Sequence, residues 1–122
     1  MKETPKVHEG EYRFCLILWE NEPIASSKLA ELCKEQLGWS RTTTYTIIRR
    51  LSDRGVVKSE NTIVTSLVSK EEVQLSEMNE LVEKTFEGSL PAFIAAFARR
   101  QKLSEQEISA LKSLIEGSEE QE

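Results

Sequence analysis

The sequence predicts a mainly α-helical protein in two parts, three helices closed by a small β hairpin and then three further helices. Three observations predict it. Apolar residues recur at i, i+3, i+4 and i+7 through most of the chain, the period of a half-buried helix. That period breaks once, after Gly55, where β-branched residues gather in Val56-Val57 and across 62–68, on either side of Lys58-Ser59-Glu60-Asn61. Charge divides unevenly as well: residues 1–70 carry eleven Lys and Arg against nine Asp and Glu, whereas 71–122 carry five against twelve. The parts are expected to be separate small domains over 1–69 and 70–122, as a chain of 122 residues permits.

Tyr12, Cys15, Leu16 and Trp19 place a first helix over residues 9–20, with these four side chains inward. Asn21-Glu22-Pro23 ends it, because proline has no amide to continue the ladder and restricts the residue before it. Ile24 makes a brief extended contact. Ser26 or Ser27 caps a second helix to about residue 37, with Leu29, Leu32, Cys33 and Leu37 inward. Gly38 stops that helix and Trp39 bridges to the next. Ser40 offers its hydroxyl to the unpaired first-turn amides of a third helix over 40–54, whose buried stripe is Thr44, Ile47, Ile48 and Leu51. Arg54-Gly55 closes it, glycine accepting the left-handed conformation. A hairpin follows, with Asn61 near its turn. This order is that of a winged helix-turn-helix.

From Ser69 the pattern changes. Ser69 to Glu72 has capping-box spacing and opens a helix to about Phe86, which Gly88 breaks. Leu90, Phe93, Ile94 and Phe97 form the stripe of a second helix ending near Arg99-Arg100. Ser104 to Glu107 is another capping box, followed by Ile108, Leu111, Leu114 and Ile115, and then Gly117 and an acidic tail that close the chain. Three amphipathic helices in so short a piece cannot bury their own apolar faces, so a partner is expected, most simply a second copy. This makes the second part an all-helical dimerisation domain, with Leu81, Phe86, Leu90, Phe93, Ile94, Phe97, Ile108, Leu111 and Ile115 shared between subunit core and dimer interface.

The third helix bears on function. Five of the seven residues from Ser40 to Thr46 are serine or threonine, and residues 41–58 carry four arginines and one lysine against Asp53 alone. With the buried stripe inward, Thr42, Tyr45, Thr46 and Arg49 share the outward arc, flanked by Arg50 and Asp53. Threonine is poor filler for a solvent-facing helix, since its β-branch lowers helix propensity. Against duplex DNA its hydroxyl bonds phosphate or base edges, and arginine reaches guanine or phosphate. A basic helix of this kind, behind a tight turn and before a hairpin, is placed as a recognition helix is placed.

Other classes find little support. The only histidine, His8, stands at the polar start of the chain, where it touches solvent or caps the first helix, and no His-based triad or metal cluster can form around it. Cys15 and Cys33 sit in apolar periodic segments and read as core thiols, so neither a cofactor nor a metal is expected. No stretch approaches a membrane span, and the start has no apolar run behind its lysines, which points to the cytoplasm. The alternative to a DNA-binding protein is a winged-helix adaptor that docks another protein.

The sequence resembles the penicillinase-repressor family, dimeric winged-helix repressors of β-lactamase and methicillin-resistance genes that also include copper-responsive members. "LILWENEPIASSKLAELCKEQLGWSRTTTYTIIRRLSDRGVV" is similar to the family's first three helices, with Trp19, Trp39, Ser40, Thr43, Thr46, Arg50, Leu51 and Gly55 on its pattern. "FEGSLPAFIAAF" and "LSEQEISALKSLI" are similar to its dimerisation half. The resemblance implies a homodimeric transcriptional repressor that binds a near-palindromic operator in duplex DNA through a recognition helix over 40–54, opened by Ser40. Thr43 and Thr46 would face groove or phosphate, Thr43 through the first turn or the middle of the helix, with Arg50 anchoring the helix or contacting backbone. It departs from the family at Thr42 and Tyr45, where relatives often carry basic residues, and in a short wing, "SENTIV", without a basic tip. In the resistance repressors a sensor protease's signal leads to cleavage at an Asn-Phe bond; here the pair is Ala96-Phe97, so that partner is unsupported. The absence of any cysteine after Cys33 disfavours copper sensing of the family's Cys-x-Cys type.

Overall fold

The computed structural model describes residues 4–120, with side chains through residue 117. Residues 1–3 of the polar start and 121–122 of the acidic tail lie outside the described residues. The elements run α1 (Glu9–Asn21), β1 (Ile24–Ala25), α2 (Ser26–Leu37), α3 (Arg41–Asp53), β2 (Val57–Glu60), β3 (Ile63–Ser66), α4 (Lys70–Phe86), α5 (Leu90–Arg100) and α6 (Glu105–Glu120). The mainly helical, winged helix-turn-helix reading holds. The chain divides into two compact units, one ending at Met78 and one beginning at Asn79, so the division falls inside α4.

In the first unit, β1, β3 and β2 form an antiparallel sheet in that order. Val57 through Glu60 pair with Ser66 back through Ile63, which leaves only Asn61 and Thr62 in the turn. Both have positive φ, 51° and 66°, as a two-residue turn matched to the strand twist requires. Asn61 thus lies in the turn, as expected, and the tight turn lets Lys58, Ser59 and Glu60 extend the ladder. Ile24 and Ala25 pair with Val64 and Ile63 on the other edge.

That pairing also corrects the expected cap of α2. The N-cap is Ala25, not Ser26 or Ser27, and no side chain caps it. Strand β1 delivers the chain so that the Ser26 amide donates to the Thr62 carbonyl at 2.8 Å, which satisfies a first-turn donor by backbone alone. At the far end Gly38 is left-handed at φ 71°, as expected of a glycine stop.

Phe14, Leu18, Leu29, Leu51, Val56, Val57 and Val64 are fully buried at the centre of the first unit. The buried stripe of α1 differs from the expectation: Phe14, Cys15, Ile17 and Leu18 are buried, whereas Tyr12, Leu16 and Trp19 are only partly so. Helix α1 packs against both α2 and β3, and two neighbours bury a wider arc than one apolar stripe. Trp19 instead lies at the margin of the core, its Nε1 donating to the Val68 carbonyl at 3.0 Å.

Helix α4 opens on the expected capping box, with Ser69 N donating to Glu72 Oε1 and Glu72 N to Ser69 Oγ, each at 3.0 Å. Its early residue Val73 is buried in the first unit's core. In the second unit Glu87 and Gly88, both at positive φ, turn the chain, and Ser89 caps α5 by accepting from Ala92 N. Phe86 and Phe93 meet edge to face with centroids 5.4 Å apart. The Ser104–Glu107 box caps α6, which continues through Gly117 to Glu120 instead of stopping at the glycine. Gly117 is not among the glycines at positive φ, so it is an interior helical residue and not a C-cap.

Candidate nucleic-acid interface

Helix α3 is set by its two ends and its underside. At its start Ser40 Oγ accepts from Thr43 N at 3.1 Å and lies 2.9 Å from Thr43 Oγ1. The preceding Trp39 stacks on Phe14, ring planes 6° apart and centroids at 6.2 Å, which fixes the turn between α2 and α3. Thr44, Ile48 and Leu51 are buried beneath the helix, with Ile47 half-buried beside them. At its finish Arg54 is the C-cap and Gly55, at φ 81°, turns the chain into β2.

The opposite surface presents Thr42, Thr43, Arg49 and Arg50, all exposed, with Thr46 half-buried at its edge. Among the described residues neither Arg49 nor Arg50 is held in an ion pair or side-chain hydrogen bond. Two guanidiniums with unused donor forks on one helix can take phosphate or guanine without first breaking an internal contact. Tyr45 corrects the expected arc. It is half-buried and packs against the core, where its ring gains more from apolar contact than from water. The outward arc thus begins at Thr42 and Thr43 and continues at Thr46, Arg49 and Arg50.

Sequence reasoning missed two basic residues near the helix start. Lys34 of α2 and Arg41 of α3, with Ala30, Glu31 and Ser40, line a depression of about 390 Å³ beside the α3 N-terminus, where free amides favour an anion. Arg41 follows the cap directly and could have been placed from that alone; Lys34 could not, because its position depends on how α2 and α3 pack. The wing adds little positive charge, since Lys58 Nζ pairs with Glu60 at 3.3 Å.

Beneath α3 the Thr44 hydroxyl is buried without an ordinary hydrogen-bond partner, and its polar company is the weakly bonding Cys33 thiol. Burial raises the Cys33 pKa, against a smaller lowering by the Thr44 contact. The Cys15 thiol is pushed up to about 12, chiefly by burial and then by the nearby Glu11 carboxylate. Both cysteines are free and buried, as expected of core thiols. His8 is the N-cap residue of α1. Among the described residues no group of three or more His, Cys, Asp or Glu could hold a metal ion, and no helix is long and apolar enough to cross a membrane.

The profile of the penicillinase repressor family matches residues 9–117. The chain belongs to the penicillinase repressor family. This is a family of winged-helix transcriptional regulators and not of enzymes. The chain is similar to the methicillin resistance regulatory protein MecI of Staphylococcus aureus, 25% identical over 117 residues that cover 93% of this chain and 95% of that protein. It is 24% identical to the protein of the same name from Mammaliicoccus sciuri over the same shares. It is 19% identical over 120 residues to the penicillinase repressor of Bacillus licheniformis, covering 95% of this chain and 94% of that protein.

The matched span takes in all of α3 and the second unit as far as residue 117. Most of the residues expected to pair two copies are solvent-facing in the single chain. Leu81, Leu90, Ile94, Phe97, Ile108, Leu111 and Ile115 are exposed, and Phe86 and Phe93 are half-buried against each other. Leu114, expected on the stripe of α6, is the most exposed large apolar residue of the described chain.

Proposed function

We propose that this transcriptional repressor acts as a homodimer on a near-palindromic operator in duplex DNA. Residues 1–69 form the DNA-binding domain and residues 70–122 the dimerisation domain. Two copies join through the apolar residues of α4, α5 and α6 and present two α3 helices to successive major grooves, roughly 34–36 Å apart or a multiple of that. Ser40, Thr42, Thr43 and Thr46 meet phosphate or base edges, while Arg49 and Arg50 reach guanine or backbone. Tyr45, half-buried against the core, stands at the margin of this contact. Occupancy of a promoter blocks transcription, and the DNA undergoes no chemistry. The work is done in the cytoplasm, where that DNA lies.

The observation that carries this reading is the pair of unengaged guanidiniums, Arg49 and Arg50, on the exposed side of the third helix of a winged helix. Linking two weak half-site contacts raises the effective concentration of the second, which is why pairing matters to affinity. The position matching the family's cleavage bond, Ala96-Phe97, lies within α5 and lacks the asparagine, so release by proteolysis there is not part of the proposal.

Arg49→Ala and Arg50→Ala, each tested alone, are expected to weaken operator binding by about 5–100-fold in a mobility-shift titration at fixed salt while the dimer persists in sedimentation. Unchanged affinity in both would remove α3 from the interface. One observation favours a protein-docking reading: Ile63 is exposed on the wing and the wing's lysine is already paired. Absence of salt-sensitive duplex binding by an intact dimer would select that alternative.

A further inference from the structure

We propose that Arg54 and Glu11 are positioning residues for DNA binding: with the Lys6 carbonyl they fix the C-terminal end of α3 against the start of α1, and neither touches DNA. This rests on the DNA-binding reading above. Three arginines stand within six positions at the end of α3, and they are engaged differently. Arg49 and Arg50 are unengaged. Arg54 donates through Nη1 to the Lys6 carbonyl at 3.0 Å and pairs through Nη2 with Glu11 Oε2. The other oxygen of the same carboxylate, Oε1, accepts from the His8 amide at 2.9 Å. Glu11 is therefore used at both oxygens and is only 6% exposed, an unusual depth for a carboxylate unless it is paired.

The segment that Arg54 grips is itself anchored. Val7 is buried in the core beside it, and Lys6 Nζ reaches Glu77 of α4 at 3.5 Å. A single guanidinium thus joins the end of α3 to the chain entering α1, and that chain is tied to α4. Arg50 lies one turn before Arg54 on the same helix, so a shift of this end carries Arg49 and Arg50 with it. Arg54 is the C-cap residue of α3, and its side chain leaves the helix end for the Lys6 carbonyl and Glu11. An arginine with both Nη atoms engaged internally is a poor phosphate ligand, because turning to DNA would first have to break a partly buried ion pair.

The same bookkeeping revises the basic patch. Of the five cations between residues 41 and 58, Arg54 is held by Glu11 and Lys58 by Glu60. Arg41, Arg49 and Arg50 remain available.

The test uses the full chain and a duplex of roughly 30 base pairs, long enough for two half-sites, enriched by the wild-type protein from a random library. A scrambled duplex of equal length and composition is the reference. Arg54→Ala and Glu11→Gln are expected to lose about tenfold in affinity for the enriched duplex and less than about twofold for the scrambled one. The slope of log affinity against log salt should not change, and Arg54→Lys should return to within about threefold of wild type. Glu11→Gln can still accept the His8 amide, so it carries the test if Arg54→Ala does not fold. A loss shared equally by both duplexes, with a slope shallower by about one, would make Arg54 a phosphate ligand and overturn the proposal. Lower melting temperatures with unchanged affinity for both duplexes would overturn it too, leaving only a stabilising contact. Failure of the wild-type protein to enrich any sequence would refute the DNA-binding reading itself, and this inference with it.

Discussion

In the unit ending at Met78, Phe14, Leu18, Leu29 and Leu51 have no accessible surface; in the unit beginning at Asn79, Leu90, Ile94, Phe97 and Ile115 are between 43% and 55% exposed. No residue of α5 is buried at all. Both units are built from amphipathic helices with good caps, so local propensity does not separate them. The difference lies in closure. The first has a sheet and a third helix to seal its core, while the second leaves its stripes open. These four side chains alone would contribute on the order of 3–6 kcal/mol per protomer if covered. The contrast teaches that well-formed helices and a finished core are separate achievements, and that in the single chain the second unit's stripes stay uncovered.

A charge placed in the open stripe gives the largest expected effect. Ile115→Asp should turn the dimer into a monomer at micromolar concentration by sedimentation and lower operator affinity by about 100-fold or more. A dimer that persists would show that α6 does not supply the missing surface. Leu51→Ala strikes the closed unit instead. It should cost about 2–5 kcal/mol of stability in denaturant melts, by lost transfer energy and the cavity left behind, with the dimer intact in sedimentation at temperatures below the melt. If Leu51→Ala abolished pairing and Ile115→Asp did not, the roles assigned to the two units would be reversed.

The closed core should also be visible in pH. Cys15 has its pKa raised from 9.0 to about 12 by burial and the nearby Glu11. The unfolded chain therefore releases this proton first, so the stability tied to it is present below pH 9 and declines as pH climbs toward 12. Folded protein at pH 8 should leave Cys15 unreactive to a thiol reagent until denaturant is added. Ready labelling would mean that this part of the core opens easily. The smallest effect is expected at Thr44. Because its buried hydroxyl lacks a good partner, Thr44→Val should change stability by no more than about 1 kcal/mol, and toward greater stability. A clear loss would show that the contact with Cys33 matters more than its chemistry suggests.

Much of this was legible beforehand because it was local. The caps at Ser40, Ser69 and Ser104 follow from a hydroxyl with a suitable residue three positions on, and the glycine turns at Gly38, Gly55 and Gly88 follow from backbone freedom. The errors came from neighbours distant in sequence. Tyr45 turns to the core and Ala25 caps α2 because of surfaces that periodicity along one helix does not contain. The Arg54–Glu11 pair joins residues 43 positions apart, and no spacing rule links them. A small part of it could have been read: His8 and Glu11 have capping-box spacing, with histidine where serine is usual. At the site itself, composition located the helix, but which of its arginines are unengaged depends on packing.

The wing's Lys58–Glu60 pair bears on how such a protein would search a chromosome. A hairpin that cancels its own charge displaces few counterions, and residence on unrelated sequence depends mostly on that displacement. Any hold on unrelated sequence would then fall to Arg41, Arg49 and Arg50 of α3, with little help from a sticky flank.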